Sequence, residues 1–565
     1  MPPRPAYTEL QVASNFSFLR GASHPHELVW QAAQLGYKAI GLTDYNTLSG
    51  IVRGHVAAQE AGIQFLAGCR VEIDFAGMCK HPLSARVPHY HRSSLLLYPK
   101  DRNAYGTLCQ LLTNGKRDVS KNDFFLNLAD LLPVQDSFAT IIVPPFFQTL
   151  FHHIDYQENA SDQKTRAELF FEFCSIVKEN SLDPALLSLA LTSNYSPLNP
   201  HLFHKALSIA KKLNIAPVAT NDAHYHTPDR KPLQDAVTCI REKCTLQQAG
   251  FRLFQNGERY LKPPEEMARL FRDIPHAIAR TQTITEIASS FSLSQLRYTY
   301  PDEICPNQLS PYDYLKQEVT TGAHRHYPRG VPDHVTKAIE EELVLIQELE
   351  YEKYFLTCYD IVTFARERGI LCQGRGAAAN SVVCYCLGIT SVDPTKIDLL
   401  FARFVSKERR EPPDIDIDFE HERREEVIQY IYGKYGRHRA AIAAEVVTYQ
   451  ARSAVREIGK ALGLSLEIVD KLAKGVHRWT GCTITADSLR EIGLDPFDAT
   501  VQNSLILANE LVGFPRHLSQ HVGGFIISNT PLCEIVPIIN AGMESRTIIE
   551  WDKNDIEELG MLKID

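Results

Sequence analysis

The segment PPDIDIDFE, Pro412–Glu420, constrains the chain more than any other stretch of it. Asp414, Asp416 and Asp418 alternate with Ile415, Ile417 and Phe419. On a strand, successive side chains point to opposite faces, so the carboxylates share one face and the apolar groups the other. Crowding carboxylates on a sheet is costly unless a cation screens them. Hard divalent ions such as Mg²⁺ take oxygen ligands and usually bridge to phosphates, which suits such a strand to phosphoryl transfer. Two ions can hold the attacking and leaving oxygens of an in-line displacement. A solvated edge strand with alternating acids is the other reading, and spacing alone leaves both open.

The flanking sequence supplies positive charge. Arg403, Lys407, Arg409 and Arg410 come just before the acidic strand. They are either a solvated charge run or a grip for triphosphate and template, where Arg offers a bidentate fork. Gly374–Ser381 reads GRGAAANS. Its glycines let backbone approach a phosphate, and the small residues after them can open a helix whose free N–H groups favour anions. A plain tight turn fits the same letters. Arg452, Arg456 and Lys460 fall at i, i+4, i+8 on one helical face, opposite Val455, Ile458 and Leu462. Such a stripe is solvated in many proteins, and it also suits tracking a duplex backbone.

A net charge of −9 over 565 residues argues against a surface that coats nucleic acid throughout, so any DNA contact must come from clustered Lys and Arg. The length fits roughly three to four domains at ~150 residues each. The start, MPPRPAYTELQV, has no basic and then apolar secretory pattern. No apolar run approaches the ~18 residues of a membrane span. The 13 cysteines lack paired CxxC spacing, and Cys384 and Cys386 lie in an apolar run that predicts buried thiols. These features predict a protein of the reducing cytoplasm.

From Tyr7 to about residue 285, apolar runs alternate with helical patterns. Ala39–Asp44, Ser94–Tyr98, Ala139–Pro144 and Ala216–Asp222 read as buried strands of a parallel α/β layer or barrel. Ligand groups of such folds gather at the C-terminal strand ends, where Asp44 and Asp222 fall. Ser289–Pro311 reads as a connector. Helical patterns follow at Val335–Leu349 and Thr448–Lys474, and the chain stops at Leu562-Lys563-Ile564-Asp565 like a strand cut partway.

The ordered run CQGRGAAANSVVCYCLGITSVDP, DLLFARF and PPDIDIDFEHERREEVIQYIYGKYGR resembles the palm of the α subunit of bacterial DNA polymerase III. With NFSFLRGASHP near the start, the chain is most similar to the error-prone, translesion-type paralogue. The resemblance covers essentially the whole chain. It implies an α/β multidomain protein: a polymerase-and-histidinol-phosphatase (PHP) α/β barrel over 1–285, then a polymerase-β-like nucleotidyltransferase palm over 286–445 and 521–565. A helical thumb over 446–520 is inserted in that palm, and the chain stops before the fingers. The activity implied is DNA-directed DNA polymerase, with primer-template DNA and deoxynucleoside triphosphates as partners and two Mg²⁺, or Mn²⁺, as cofactors. A sliding clamp and translesion accessory proteins would bind beyond this chain, which by itself is expected to be inactive. Residue by residue, the catalytic and metal-binding aspartates match Asp414, Asp416 and Asp565. Arg375, Gly376, Arg403 and Lys563 match phosphate and nucleotide contacts, and Arg452, Arg456 and Lys460 are the DNA-binding candidates. The family's glycine-serine pair is Gly376-Ala377 here, which predicts weaker nucleotide positioning.

The PHP resemblance also implies departures. The family's opening His-x-His corresponds to Glu9 and Gln11, its Asp-His pair to Asp44-Tyr45, and a later acid to Arg70, while Asp222 and His224 remain and a final His falls near Gln234. A cationic Arg among ligand positions opposes metal binding. His89 and His91 match no motif position and are expected in a surface loop. Three readings stay open: a polymerase, a PHP-type metal-dependent phosphoesterase, and a non-catalytic DNA-binding scaffold.

Overall fold

A computed structural model describes residues 5–78, 91–120, 123–145, 160–195, 199–302, 305–306, 309–393, 415–476, 482–543 and 545–564. Its contacts divide the chain into two units, 1–295 with 446–518, and 296–445 with 519–565.

The first unit is built on six strands in the order of the chain: β1 (Ala39–Tyr45), β2 (Gln64–Asp74), β3 (Arg92–Pro99), β4 (Phe138–Val143), β5 (Leu187–Thr192) and β6 (Ala216–Thr220). Leu95, Leu96 and Leu97 are all buried, as are Ile141 and Ile142, the pattern of a sheet covered on both faces. β1 and β2 are parallel, and so are β4, β5 and β6. β3 runs antiparallel to both of its neighbours, which corrects the all-parallel expectation. An apolar run buried on both faces carries no directional signal, so sequence could not supply it.

An extended segment near the start joins the sheet's two edges. Gly41 and Thr43 of β1 donate backbone N–H to Glu9 and Val12 (2.9 and 2.8 Å), while Ala13 and Ala223 donate theirs to Ala223 and Gln11 (2.9 and 2.8 Å). Tyr98 of β3 donates its hydroxyl to the Leu10 carbonyl at 2.7 Å across the interior. Two glycines make room for that ring: a Cβ on Gly41 would fall on the Tyr98 hydroxyl, and one on Gly68 would lie 2.7 Å from the ring. His91 is buried and packs edge-on to Phe75 at 5.7 Å, which corrects the surface-loop expectation; His89 lies outside the described residues.

Helices Ala451–Ala461, Leu466–Gly475 and Ala499–Leu511 share a core with the amino-terminal part of this unit, in which Tyr225 and Val237 pack among Val455, Ile458, Leu472 and Leu511. The basic helical stretch is thus two helices, separated at Gly463, whose φ of 82° is left-handed.

The second unit carries helices Pro311–His326, Asp333–Glu348 and Glu352–Glu367, and six further strands. β7 (Cys372–Arg375) and β8 (Asp416–Phe419) form an antiparallel pair. β9 (Ala440–Thr448), β10 (Pro515–Ile527), β11 (Ile538–Asn540) and β12 (Thr547–Asp552) form a second sheet in the order β10-β9-β12-β11. Ile564 exchanges two backbone bonds with Phe525 of β10, at 2.7 and 2.9 Å. Among the described residues no helix is long and apolar enough to cross a membrane, and Cys384 and Cys386 are buried free thiols.

The Tyr98 bridge predicts that Gly41→Ala lowers the unfolding free energy of the first unit by about 1–3 kcal/mol, the usual range for overpacking a tight interior. Urea unfolding followed by circular dichroism measures this, and an unchanged midpoint would show that Tyr98 is not held there.

Candidate active site

The acidic strand is described from Ile415 onward; Asp414, Asp565 and Arg403 lie outside the described residues. Within it the alternation holds. Ile415 and Ile417 are buried, while Asp416 is half-buried and Asp418 exposed. The antiparallel register sets Arg375 of β7 opposite Asp416, and Gln373 opposite Asp418. Arg375 Nε lies 2.9 Å from Asp418 Oδ2, with both side chains nearly two-thirds exposed, so this pair is weak and readily exchanged. Gly376 follows with a left-handed φ of 63°, and a Cβ there would stand 3.1 Å from Asp416 Oδ2. The glycine therefore supplies the turn and leaves the carboxylate approachable.

Asp416, Asp418 and Arg375 open onto a cleft of about 260 Å³ whose wall also carries Arg424, His521 and Arg546 above apolar Ile417, Ile428 and Ile431. Arg546 pairs with Glu425, its Nε 3.2 Å from Oε2. Hard carboxylate oxygen beside a cluster of arginines is the donor set that a divalent cation carrying phosphate prefers.

The helix after the glycine-rich turn departs from expectation. It runs only from Val382 to Cys386, and its first N–H groups are not free. Glu342 of helix Asp333–Glu348 accepts from Val382 N (2.9 Å), Val383 N (3.0 Å) and Ser381 Oγ (2.8 Å). Burial pushes the Glu342 carboxyl up to about 7, against the pull of those three donors. The anion at this helix start is thus an internal side chain. Sequence reasoning missed it, although Glu342 sits between Ile339 and Ile346 on the buried face of its helix.

Lys563 is buried, and its carbonyl accepts from the Tyr354 hydroxyl at 3.1 Å. On helix Ala451–Ala461, Arg452, Arg456 and Lys460 are all exposed, with Val455 and Ile458 buried beneath. Arg456 lies 3.1 Å from Asp470, and Lys460 3.2 Å from Glu457.

The PHP-like positions of the first unit are brought together as an ion-pair cluster. Asp222 follows β6 with a left-handed φ of 49° and is buried. Its Oδ1 accepts from Gln11 Nε2 (2.7 Å) and Arg70 Nη1 (3.0 Å), with His224 Nε2 3.5 Å away, while Oδ2 meets Arg259. Burial alone would raise the Asp222 carboxyl, but the Arg259 and Arg70 guanidiniums hold it well below the usual carboxylate range. Arg70 also stacks over Tyr45, 4.3 Å from its ring centre. Asp44 is satisfied separately by Ser14 N and Oγ, both at 2.7 Å, and Ser17 Oγ at 2.5 Å. Glu9 is pushed up to about 7 by burial, while Tyr7, Gln11 and Asn221 donate to it. Among the described residues no group of three or more His, Cys, Asp or Glu is gathered as for a metal ion.

Comparison with known proteins finds similarity in both regions. The family described as "Bacterial DNA polymerase III alpha NTPase domain" matches residues 313–565, and the PHP domain family matches 9–142. The chain is 46% identical to the error-prone DNA polymerase of Brucella abortus over 99% of its own length and 49% of the relative's. It is likewise 46% identical to that of Caulobacter vibrioides over 99% of its length and 48% of the relative's. The chain thus spans about half the length of the curated relatives it matches. A solved amidohydrolase from Chromobacterium violaceum is 15% identical, with 39% of this chain and 88% of that one covered at a TM-score of 0.25.

The Asp222 cluster generates a stability prediction. Asp222→Asn strands two buried guanidiniums and should cost about 3–5 kcal/mol at pH 7 in urea unfolding. A depressed carboxyl contributes stability above its ordinary pKa of ~3.9, and that contribution is lost as the pH falls. The gap between wild type and variant should therefore narrow below about pH 4; a gap that is small at pH 7, or constant with pH, contradicts the cluster.

Proposed function

We propose that the chain is a member of the bacterial DNA polymerase III α family and supplies the nucleotidyl-transfer palm of an error-prone DNA polymerase used for synthesis across damage. The observation that carries the reading is Asp416, half-buried at a cleft, opposite Arg375 and kept approachable by Gly376. The palm comprises 286–445 and 521–565 in a polymerase-β-like arrangement, with 446–520 as the thumb and 1–285 as the PHP domain. The reaction is attack of a primer 3′-hydroxyl on the α-phosphate of a deoxynucleoside triphosphate.

Asp414, Asp416 and Asp565 would hold two divalent cations, Mg²⁺ with Mn²⁺ as a substitute, which stabilise charge on the attacking and leaving oxygens. Arg375, Arg403 and Lys563 bind the triphosphate, and Gly376 admits it close to backbone. Ala377 lacks the hydroxyl of the family's serine, so this side holds nucleotide through backbone N–H groups. Arg452, Arg456 and Lys460 track the duplex; their exposed acid partners cost little to exchange for phosphate. The PHP domain acts as a platform, because Arg70 and Arg259 already neutralise Asp222 where a metal would otherwise bind. A sliding clamp and translesion accessory proteins are further partners in this reading, and its setting is the cytoplasm.

Two measurements test this reading. Mn²⁺ affinity should fall at least tenfold in the Asp414→Asn, Asp416→Asn double variant, and equal affinity in both proteins would remove the palm metal site. Primer-template binding should weaken with salt, and alanine at Arg452, Arg456 and Lys460 should flatten the log–log salt slope by about 0.9 for each phosphate no longer neutralised. An unchanged slope would take the thumb face out of the DNA path.

A further inference from the structure

The strand of Asp416 and the Lys563–Ile564 segment belong to different sheets, yet one buried hydroxyl bonds the residue before the first and the Lys563 carbonyl of the second. Ile415 donates its N–H to the Tyr354 hydroxyl oxygen at 2.9 Å, and the same hydroxyl donates to the Lys563 carbonyl at 3.1 Å. The first bond falls on the peptide group that links Asp414 to Ile415. The second falls on the peptide that links Lys563 to Ile564, one residue before Asp565. Each partner segment is anchored on its own side, Asp416–Phe419 by pairing with β7 and Ile564 by its two bonds to Phe525. Tyr354 is fully buried on helix Glu352–Glu367, and its ring packs edge-on to buried Tyr300 at 5.5 Å and 70°. A phenol in that setting has little freedom, so its oxygen fixes a separation between two backbones.

We infer that Tyr354 is a positioning residue for the carboxylate site, setting the spacing between Ile415, which leads into the Asp416 strand, and the Lys563–Ile564 peptide through its hydroxyl. The inference rests on the palm reading above, and adds to it a residue that touches neither nucleotide nor metal. Its chemistry is geometric. Carboxylates that share a cation must stand at a separation fixed to a fraction of an ångström, and outer hydrogen bonds of this kind set cation affinity. Tyr354→Phe removes the hydroxyl and keeps the ring, so the apolar packing persists while the tether is lost.

The experiment is Mn²⁺ titration, followed by electron paramagnetic resonance, of the 565-residue chain and of three variants: Tyr354→Phe, Tyr300→Phe and Asp416→Asn. Tyr300→Phe removes a neighbouring buried hydroxyl and so reports any general loosening of the core. Tyr354→Phe should weaken Mn²⁺ binding about tenfold, with Tyr300→Phe unchanged and Asp416→Asn weaker still. If Asp416→Asn weakens binding and Tyr354→Phe does not, the positioning role is wrong and the metal reading stands. If both tyrosine variants weaken it equally, the effect is packing and the positioning role is again wrong. If Asp416→Asn changes nothing, the metal reading fails and takes this inference with it. Amide hydrogen exchange in the unaltered chain gives a second readout that needs no variant. The Ile415 amide should be strongly protected, and free exchange there would overturn the tether.

Discussion

A carboxylate removed from water needs donors or positive charge within hydrogen-bond reach, and this requirement organises both units of the chain. Four of the buried acids among the described residues meet the requirement with different chemistry. Asp44 takes serine hydroxyls and a backbone N–H, Glu9 takes a phenol and two backbone N–H groups, and Glu342 takes the first N–H groups of a short helix. Asp222 takes two guanidiniums. Asp416 is half-buried at a cleft, next to Gly376, where a Cβ would stand 3.1 Å from its Oδ2.

The contrast between Asp222 and Asp416 carries the functional division. Arg70 stands at a position where the PHP resemblance expects an acid, and its charge does for Asp222 what a bound cation does elsewhere. With Arg70 there the sheet's interior carboxylate is neutralised from within, beside the Tyr98 bridge and the Glu9–Ala13 segment. The β7–β8 pair retains an acidic face with arginines grouped along the cleft wall. Negative charge left accessible beside positive charge is the electrostatic layout that metal-bound phosphate calls for.

Much of this was legible in the sequence, and the rest was hidden for identifiable reasons. Apolar runs located β1, β3, β4 and β6, and the period of two placed Asp416 and Asp418 on one face of β8. β2 reads QFLAGCRVEID, in which Arg70 and Glu72 break the apolar run, and β5 reads LSLALT, short and interrupted by Ser188 and Thr192. The reversed direction of β3 depends on connections, to which periodicity is blind. Glu342 lay within the run Glu340–Glu342, indistinguishable from a solvated charge cluster until its helical face was considered. Tyr354 lies in an apolar helix among other aromatics, and only the backbones converging on its hydroxyl distinguish it. Tertiary hydrogen bonds to backbone leave no residue-type signature in any one segment.

The central proposal is that Asp416 belongs to a cation-binding site, whereas the Arg70 and Arg259 guanidiniums already neutralise Asp222. Crystals of the chain grown with Mn²⁺ and measured at the manganese absorption edge test both halves at once. The account predicts an anomalous peak within bonding distance of the Asp416 carboxylate and none beside Asp222. A peak at Asp222, or a featureless map around Asp416, would contradict it.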